Sequence, residues 1–275
     1  MTDRYAVIGN PVAHSRSPTI HQLFAAQCGQ DLDYSTLLAP LDGFAATVQR
    51  FAASGGRGLN VTLPFKQEAF RLATDVSARA HAAGAVNTLK FDDGQILADN
   101  TDGAGLVRDL TANLGCTIAG KRILLLGAGG AARGVINPLC GEGPAHLQIA
   151  NRTVDKARHL AAEFSAAEFT IAGCGFADLA GSSFDLIINA TSASMSDASL
   201  DLPAKLFAPG AVAYDMVYGR ASPFMRQAQA AGATVVVDGL GMLVEQAAES
   251  FLWWRGVRPD TAPVLRRLRQ ELAAR

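Results

Sequence analysis

An apolar run cut off by glycines, residues 121–134 (KRILLLGAGGAARG), limits the folds open to this chain more than any other feature. Ile123, Leu124, Leu125 and Leu126 are four apolar residues stopped by glycine, the pattern of a strand buried on both faces of a parallel sheet. Gly127, Gly129 and Ala132 then follow the G-x-G-x-x-G/A spacing that opens a dinucleotide-binding βαβ unit. The first glycine permits a tight turn, the second lets backbone approach a pyrophosphate, and the small third residue lets helix pack on strand. Unpaired N–H groups at the helix start would hold the pyrophosphate. This makes Gly127, Ala128, Gly129, Gly130 and Ala131 candidate cofactor residues. Alone, the motif fits a glycine-rich turn that binds nothing equally well; other residues decide.

With 275 residues, 49% of them hydrophobic, the chain can bury a large core, and two domains suit it better than one. A formal net charge of −1 gives no electrostatic footprint for nucleic acid or an anionic membrane. Apolar runs such as residues 231–237 fall far short of a membrane span. The first residues, MTDRYAVIGN, enter a strand pattern without the apolar stretch of a signal peptide. Cys28, Cys116, Cys140 and Cys174 are scattered, with no CxxC and no histidine at ligand spacing. That reads as free thiols in a reducing cytoplasm, with no metal site. The expectation is a soluble cytoplasmic protein whose partners are small molecules.

Strand and helix alternate along the chain. Residues 4–9 read as a strand, after which Ser17 suits an N-cap and Pro18 the first helical position. Ile20, Leu23 and Phe24 give that helix an apolar face. Strands are expected at 34–39 and 58–63, helices at 41–53, 65–73 and 78–83, and a hairpin at 85–91 and 95–98 around Asp92-Asp93-Gly94. The alternation implies a parallel-rich α/β sheet. A helix at 104–114, with Leu106, Val107 and Leu110 on one face and Thr101 or Asp102 as its cap, leads to the glycine-loop strand. The second α/β stretch has a helix to 139, strands at 147–150, 184–190, 211–216 and 234–237, and helices at 155–164 and 223–231. Helices at 243–255 and 262–272 close the chain and are expected to return to the first domain. The fold class is therefore α/β with two domains, residues 1–102 with 243–275, and a doubly wound Rossmann unit at 103–242.

In such a unit the end of the second strand, roughly 20 residues past the glycine loop, meets the adenosine ribose. NAD needs an acid there, whereas the 2′-phosphate of NADP needs positive charge. This chain has Asn151, Arg152 and Thr153 there, with Lys156 one turn on and Asp155 already in the next helix. Arginine's planar fork of donors suits phosphate, so the segment favours NADP. In the first domain, polar residues fall where strands end: Ser15, Ser17, Asn60, Thr62, Lys66, Asn87 and Asp102. For the two serines, capping and turn chemistry is the plain alternative. Lys66 carries the most chemical force, because a helix start is an unfavourable place for a cation and structural propensity gives no reason for it. Paired with Asp102, it can move a proton to or from a hydroxyl being oxidised.

Together these residues resemble the shikimate dehydrogenase family. The matching segments are GNPVAHSRSP (9–18), GLNVTLPFK (58–66), GAVNT (84–88), NTDG (100–103), the glycine loop, NRT (151–153), NATS (189–192), YDMVY (214–218) and DGLGMLVEQ (238–246). They run in family order over nearly the whole chain. The resemblance implies NADPH-dependent reduction of 3-dehydroshikimate to shikimate in chorismate and aromatic amino-acid biosynthesis. It implies Lys66 and Asp102 as the catalytic pair, and Ser15 and Ser17 on the substrate carboxylate. Asn60, Thr62, Asn87, Tyr218 and Gln246 would complete the substrate set. The NADP positions would be Gly127, Ala128, Gly129, Gly130, Ala131, Asn151, Arg152, Thr153, Lys156, Thr191, Met216 and Gly239. The implied architecture has a substrate domain and an NADP domain separated by a cleft, in a monomer or homodimer. One departure is Ala78, where many relatives carry an acid; it bears on a cofactor or domain-closure contact there, not on the reaction.

Three alternatives stay open on sequence alone. A quinate/shikimate dehydrogenase would use NAD more readily and would usually place an acid near Arg152. An aminoshikimate enzyme is a second. A catalytically silent NADP-binding regulator is a third, against which the retention of both Lys66 and Asp102 argues.

Overall fold

The computed structural model describes residues 2–166, 169–195, 198–203 and 205–274, the side chains of Ser194 and Met195 excepted. The chain forms two compact units, Met1–Gly105 with Leu243–Arg275, and Leu106–Met242.

The first unit begins with β1 (Asp3–Gly9), α1 (Ser17–Cys28), β2 (Leu32–Leu38), α2 (Phe44–Ala53), β3 (Gly56–Val61) and α3 (Lys66–Leu72). It continues through β4 (Asp75–Val76), α4 (Ala78–Ala83), β5 (Thr88–Asp92), β6 (Gln95–Asp99) and the start of α5 (Asp102–Arg108). Its sheet order is β2-β1-β3-β5-β6-β4. Strands β1, β2 and β3 are parallel, while β5 runs antiparallel to both β3 and β6. The hairpin between β5 and β6 turns at Asp93 (φ 44°) and Gly94 (φ 79°), two left-handed residues of the kind a tight hairpin requires. Side chains of β1 alternate between two cores. Ala6 and Ile8 join Phe44, Val48, Leu59, Phe65 and Leu89, whereas Tyr5 and Val7 join Tyr34 and Trp254.

The second unit holds β7 (Arg122–Leu126), α6 (Gly130–Gly141), β8 (His146–Ala150), α7 (Val154–Phe164), β9 (Ala172–Cys174), β10 (Phe184–Asn189), β11 (Phe207–Asp215), α8 (Pro223–Ala230) and β12 (Val235–Asp238). The order β12-β11-β10-β7-β8-β9, with every pairing parallel, is the doubly wound arrangement. Ile123 and Leu125 of β7 face one core and Leu124 and Leu126 the other, which is why this strand reads as unbroken hydrophobicity. Helix α9 (Leu240–Arg255) carries the chain back into the first unit, where α10 (Thr261–Ala273) follows.

Four local expectations change. Ser17 is not the cap of α1: the helix starts on it, Arg16 is the capping position, and the Ser15 hydroxyl oxygen accepts from the Ser17 N–H at 3.2 Å. The helix expected at 104–114 is α-helical only to Arg108, and Asp109–Asn113 form a π-turn. Asp109 is the physical reason: its buried carboxylate accepts from Tyr214 Oη at 2.6 Å and Asn113 Nδ2 at 2.8 Å, so this turn widens to aim a polar group inward. Strands β4 and β9 are not expected from the sequence, being two and three residues long with no alternation to read.

His21 of α1 is fully buried and stacks on Tyr34 at 4.2 Å between ring centroids. Burial pushes its pKa down from 6.5 to about 3. The unfolded chain therefore takes up a proton below pH 6.5 that the folded protein refuses until about pH 3. Stability from this group is full above pH 6.5 and declines as the pH falls through that window. Urea unfolding of His21→Phe at a series of pH values should lose less stability than wild type between pH 6 and 4. Parallel pH dependences would show that His21 does not contribute.

Candidate active site and nucleotide cradle

In the second unit the glycine loop leaves backbone, not side chains, facing outward. Gly127 has φ +105° and donates to the Ala150 carbonyl at 2.8 Å. A Cβ there would lie a tight 3.2 Å from the Ala190 carbonyl and from Thr191 Cγ2, and the positive φ is what calls for glycine. Gly129 caps α6 in extended conformation, and no side chain caps the helix. Nothing stands within 4 Å of where side chains of Gly129 and Gly130 would begin, and the first turn of α6 has no acid. The positive end of α6, opened by glycines and without an acid in its first turn, fits an anion such as a pyrophosphate.

Beyond β8, Asn151 Nδ2 donates to the Thr153 carbonyl at 3.0 Å, and Arg152, Thr153 and Lys156 are exposed. Asp155 is in the first turn of α7, past the ribose-reading positions. At the end of β10, Asn189 Oδ1 accepts from the Thr191 N–H at 3.1 Å and hydroxyl at 2.7 Å. Gly239 donates to the Val217 carbonyl at 3.1 Å, and a Cβ on it would strike the Met216 carbonyl, so this pair needs a glycine. Sequence reasoning missed the group holding this loop. Asp215, fully buried, accepts from Ser222 Oγ at 2.5 Å and from the Val217 N–H at 3.1 Å. An aspartate ending an apolar strand was the available signal. Tyr218 follows on the same loop, half-buried.

The first unit gathers the other candidates. Lys66 Nζ lies 2.5 Å from Asp102 Oδ2. Asn87 Nδ2 donates to Asp102 Oδ1 at 2.8 Å and Thr101 Oγ1 at 2.9 Å, with Gln246 Oε1 at 3.2 Å. Asn87 Oδ1 accepts in turn from the Thr101 N–H at 2.9 Å and from Thr88 Oγ1 at 2.9 Å, which fixes which way its amide points. Asp102 is 8% exposed, and its N–H donates to Asn100 Oδ1 at 3.1 Å. Nearby on the chain, Asp99 accepts from Ser77, the Asn100 N–H and the Arg79 guanidinium. Burial raises the Asp99 carboxyl, but the bonds from Arg79 and Ser77 and the arginine's charge outweigh it, leaving its pKa below 3.8.

Asn60 has an amide fully occupied by protein: Tyr34 Oη donates to its oxygen at 2.7 Å, and its nitrogen donates to Ser250 Oγ at 3.0 Å and Thr88 Oγ1 at 3.2 Å. It is 6% exposed and braces Thr88 beneath Asn87. Ser15 and Ser17 sit at the start of α1, whose first turn has no acid. Thr62 follows β3, with its N–H on the Ile8 carbonyl at 3.0 Å. Sequence reasoning gave no bridging role to Thr88 or Thr101, although GAVNT and NTDG contain them and Thr101 is a candidate cap; Ser250, inside an apolar helix, lies in no motif. Among the described residues no set of three or more His, Cys, Asp or Glu is placed to hold a metal, and no helix is long and apolar enough to cross a membrane.

A glycine-loop α/β unit open to a dinucleotide, together with a unit that closes a polar cluster on a lysine–aspartate pair, defines a nicotinamide-nucleotide oxidoreductase. Residues 7–89 match the shikimate dehydrogenase substrate binding domain, 109–196 match shikimate / quinate 5-dehydrogenase, and 239–269 match the shikimate 5′-dehydrogenase C-terminal domain. The chain is 61% identical to a shikimate dehydrogenase (NADP(+)) of Dechloromonas aromatica over 275 residues, all of both chains. Among solved structures it is similar to an Ael1 enzyme from Pseudomonas putida, at 48% identity and TM-score 0.92, covering 97% of this chain and 98% of that one. It is similar also to the shikimate 5-dehydrogenase of Thermus thermophilus in complex with NADP(H) and shikimate, at 33% identity and TM-score 0.86, covering 98% and 99%. The chain belongs to the shikimate dehydrogenase family.

Proposed function

We infer that this protein is an NADP-dependent shikimate dehydrogenase, reversibly reducing 3-dehydroshikimate to shikimate in chorismate and aromatic amino-acid biosynthesis. The observation that carries the reading is the Lys66–Asp102 pair, 2.5 Å apart and bound to Asn87, in a chain whose relatives are shikimate dehydrogenases. The partners are small molecules, the location is the cytoplasm, and the protein works as a monomer or homodimer.

NADPH, when bound, supplies the hydride to the carbonyl carbon. The chain supplies the proton: Lys66 Nζ gives it to the oxygen that becomes the new hydroxyl, and neutral Lys66 removes it in the reverse direction. Asp102 Oδ2 aims the amine, and the Asn87 N–H on Oδ1 fixes the carboxylate so that Oδ2 faces the lysine. Ser15 accepts from the Ser17 N–H and so keeps its own proton to donate to the substrate carboxylate. Ser17 joins it at the positive end of α1. Thr62, Asn87, Tyr218 and Gln246 contact the substrate's carboxylate or hydroxyls, and Asn60, its amide already held by protein, supports the site by bracing Thr88 and Ser250. In the cofactor set, Gly127, Ala128, Gly129, Gly130 and Ala131 cradle the pyrophosphate. Asn151, Arg152, Thr153 and Lys156 take the 2′-phosphate. Thr191, Met216 and Gly239 complete the set beyond β10, β11 and β12.

Lys66→Ala should lower kcat by several orders of magnitude while shikimate binding and fold stay near wild type, measured by steady-state kinetics and calorimetry. Turnover at the wild-type rate would remove the lysine from proton transfer. Arg152→Ala should weaken NADP by about 1.5–3 kcal/mol and leave NAD nearly unchanged, because only the former offers a 2′-phosphate for a charge-assisted contact. Equal losses for the two cofactors would mean that Arg152 does not read that phosphate. Wild-type kcat/KM for shikimate and quinate with each cofactor tests the reading itself, and quinate or NAD preferred would overturn it.

A further inference from the structure

Gly105 lies in helix α5 at a position where alanine would be the better helix former. A Cβ there would stand 2.7 Å from the Gln246 backbone nitrogen, 2.7 Å from Gln246 Cβ and 2.9 Å from Gln246 Cα. Two of those three atoms are helix backbone, which cannot swing aside as a side-chain tip can. The missing methyl group therefore sets how closely α9 lies against α5. The same helix meets glycine again two turns on: a Cβ at Gly58 would stand 2.6 Å from Trp254 Nε1, whose N–H donates to the Leu89 carbonyl at 3.0 Å. Between these seats, Ser250 Oγ lies 2.8 Å from Thr88 Oγ1 and accepts from Asn60 at 3.0 Å.

The close approach has a consequence for the site. Gln246 Oε1 is 3.2 Å from Asn87 Nδ2 and 3.4 Å from Thr101 Oγ1, the outer limit of a hydrogen bond. Its Nε2 is held by the Leu243 carbonyl of its own helix at 2.9 Å, so the side chain has no slack with which to follow a displaced backbone. We propose that Gly105 is a positioning residue for the substrate site: it seats α9 so that the Gln246 amide reaches the Asn87–Thr101 pair.

This rests on the functional reading above, and the experiment separates the two. Wild type is assayed first with shikimate and NADP; no turnover refutes that reading. With wild type active, Gly105→Ala should raise KM for shikimate about tenfold or more, leaving KM for NADP within about twofold. Gln246→Ala should do the same, and adding Gly105→Ala to it should cost less than about a further twofold, because the group being displaced is already gone. An unchanged shikimate KM in Gly105→Ala, equal rises for both substrates, or additive effects in the double variant would overturn the proposal. If Gly105→Ala does not fold, Gln246→Asn shortens the same reach by one methylene without touching the backbone. A tenfold rise in shikimate KM then supports the proposal, and a wild-type KM overturns it.

Discussion

A carboxylate that is 8% exposed, and so needs donors on both its oxygens, is the constraint on which the first unit depends. Asp102 meets it with two donors on opposite oxygens, Lys66 on Oδ2 and Asn87 on Oδ1. Each donor then needs its own direction fixed. The Asn87 amide is useful only if its oxygen faces away from the acid, and the Thr101 N–H and Thr88 hydroxyl on Oδ1 hold it that way. Thr88 is itself braced by Asn60 and Ser250, and Asn60 by the Tyr34 hydroxyl. A partly satisfied network would cost more than an apolar core. The buried polar residues of this unit therefore orient one another, and β3, β5, the start of α5 and α9 all contribute to one cluster.

The second unit solves its problem the opposite way. Its loop offers almost no side chains: an extended glycine at the cap, open space around two glycines, and a first turn without an acid. Side chains act from behind instead. Asp215 and Asn189 spend their polar atoms on the Val217 N–H, Ser222 and Thr191, shaping loops that present mainly backbone. A diphosphate with charge on several oxygens is well matched by fixed N–H dipoles, which need no ordering when it arrives. A substrate with a reacting hydroxyl needs groups that exchange protons, and those the first unit supplies.

How much of this the sequence showed follows from the same division. The nucleotide unit was legible because its function resides in backbone geometry, which glycines announce: the stop at Gly127, the cap at Gly129 and the absence of an acid at Asn151–Arg152–Thr153 need no tertiary information. The candidate site residues of the cluster, Lys66, Asn87, Asp102 and Gln246, were reached through motifs. The links between them were not. Thr88, Thr101 and Ser250 join residues up to 190 positions apart in the chain, as Asn60 to Ser250 does, and no local pattern encodes such a contact. A local rule makes Ser17 the cap of α1, yet in the structure its N–H is met by the Ser15 hydroxyl, two residues earlier. The π-turn at Asp109 likewise exists because of Tyr214, 105 residues away.

The placement of Lys66 shows why a locally unfavourable choice can be a functional signal. Helix α3 starts at this residue with no side-chain cap, so the ammonium sits where the helix end is already positive. The dipole term disfavours a cation there by about 0.3–1 kcal/mol. Glu68 in the same first turn offsets part of it, and Asp102 from another element offsets more, at 2.5 Å and largely shielded from water. Without Asp102 only Glu68 would offset the positive helix end at that position. Without Lys66 a buried carboxylate would keep only the Asn87 amide. Each charge is favoured by the other, and the two come from segments 36 residues apart. Such a pair adds little to stability that an apolar pair could not supply. What it adds is an amine and a carboxylate held at a fixed separation.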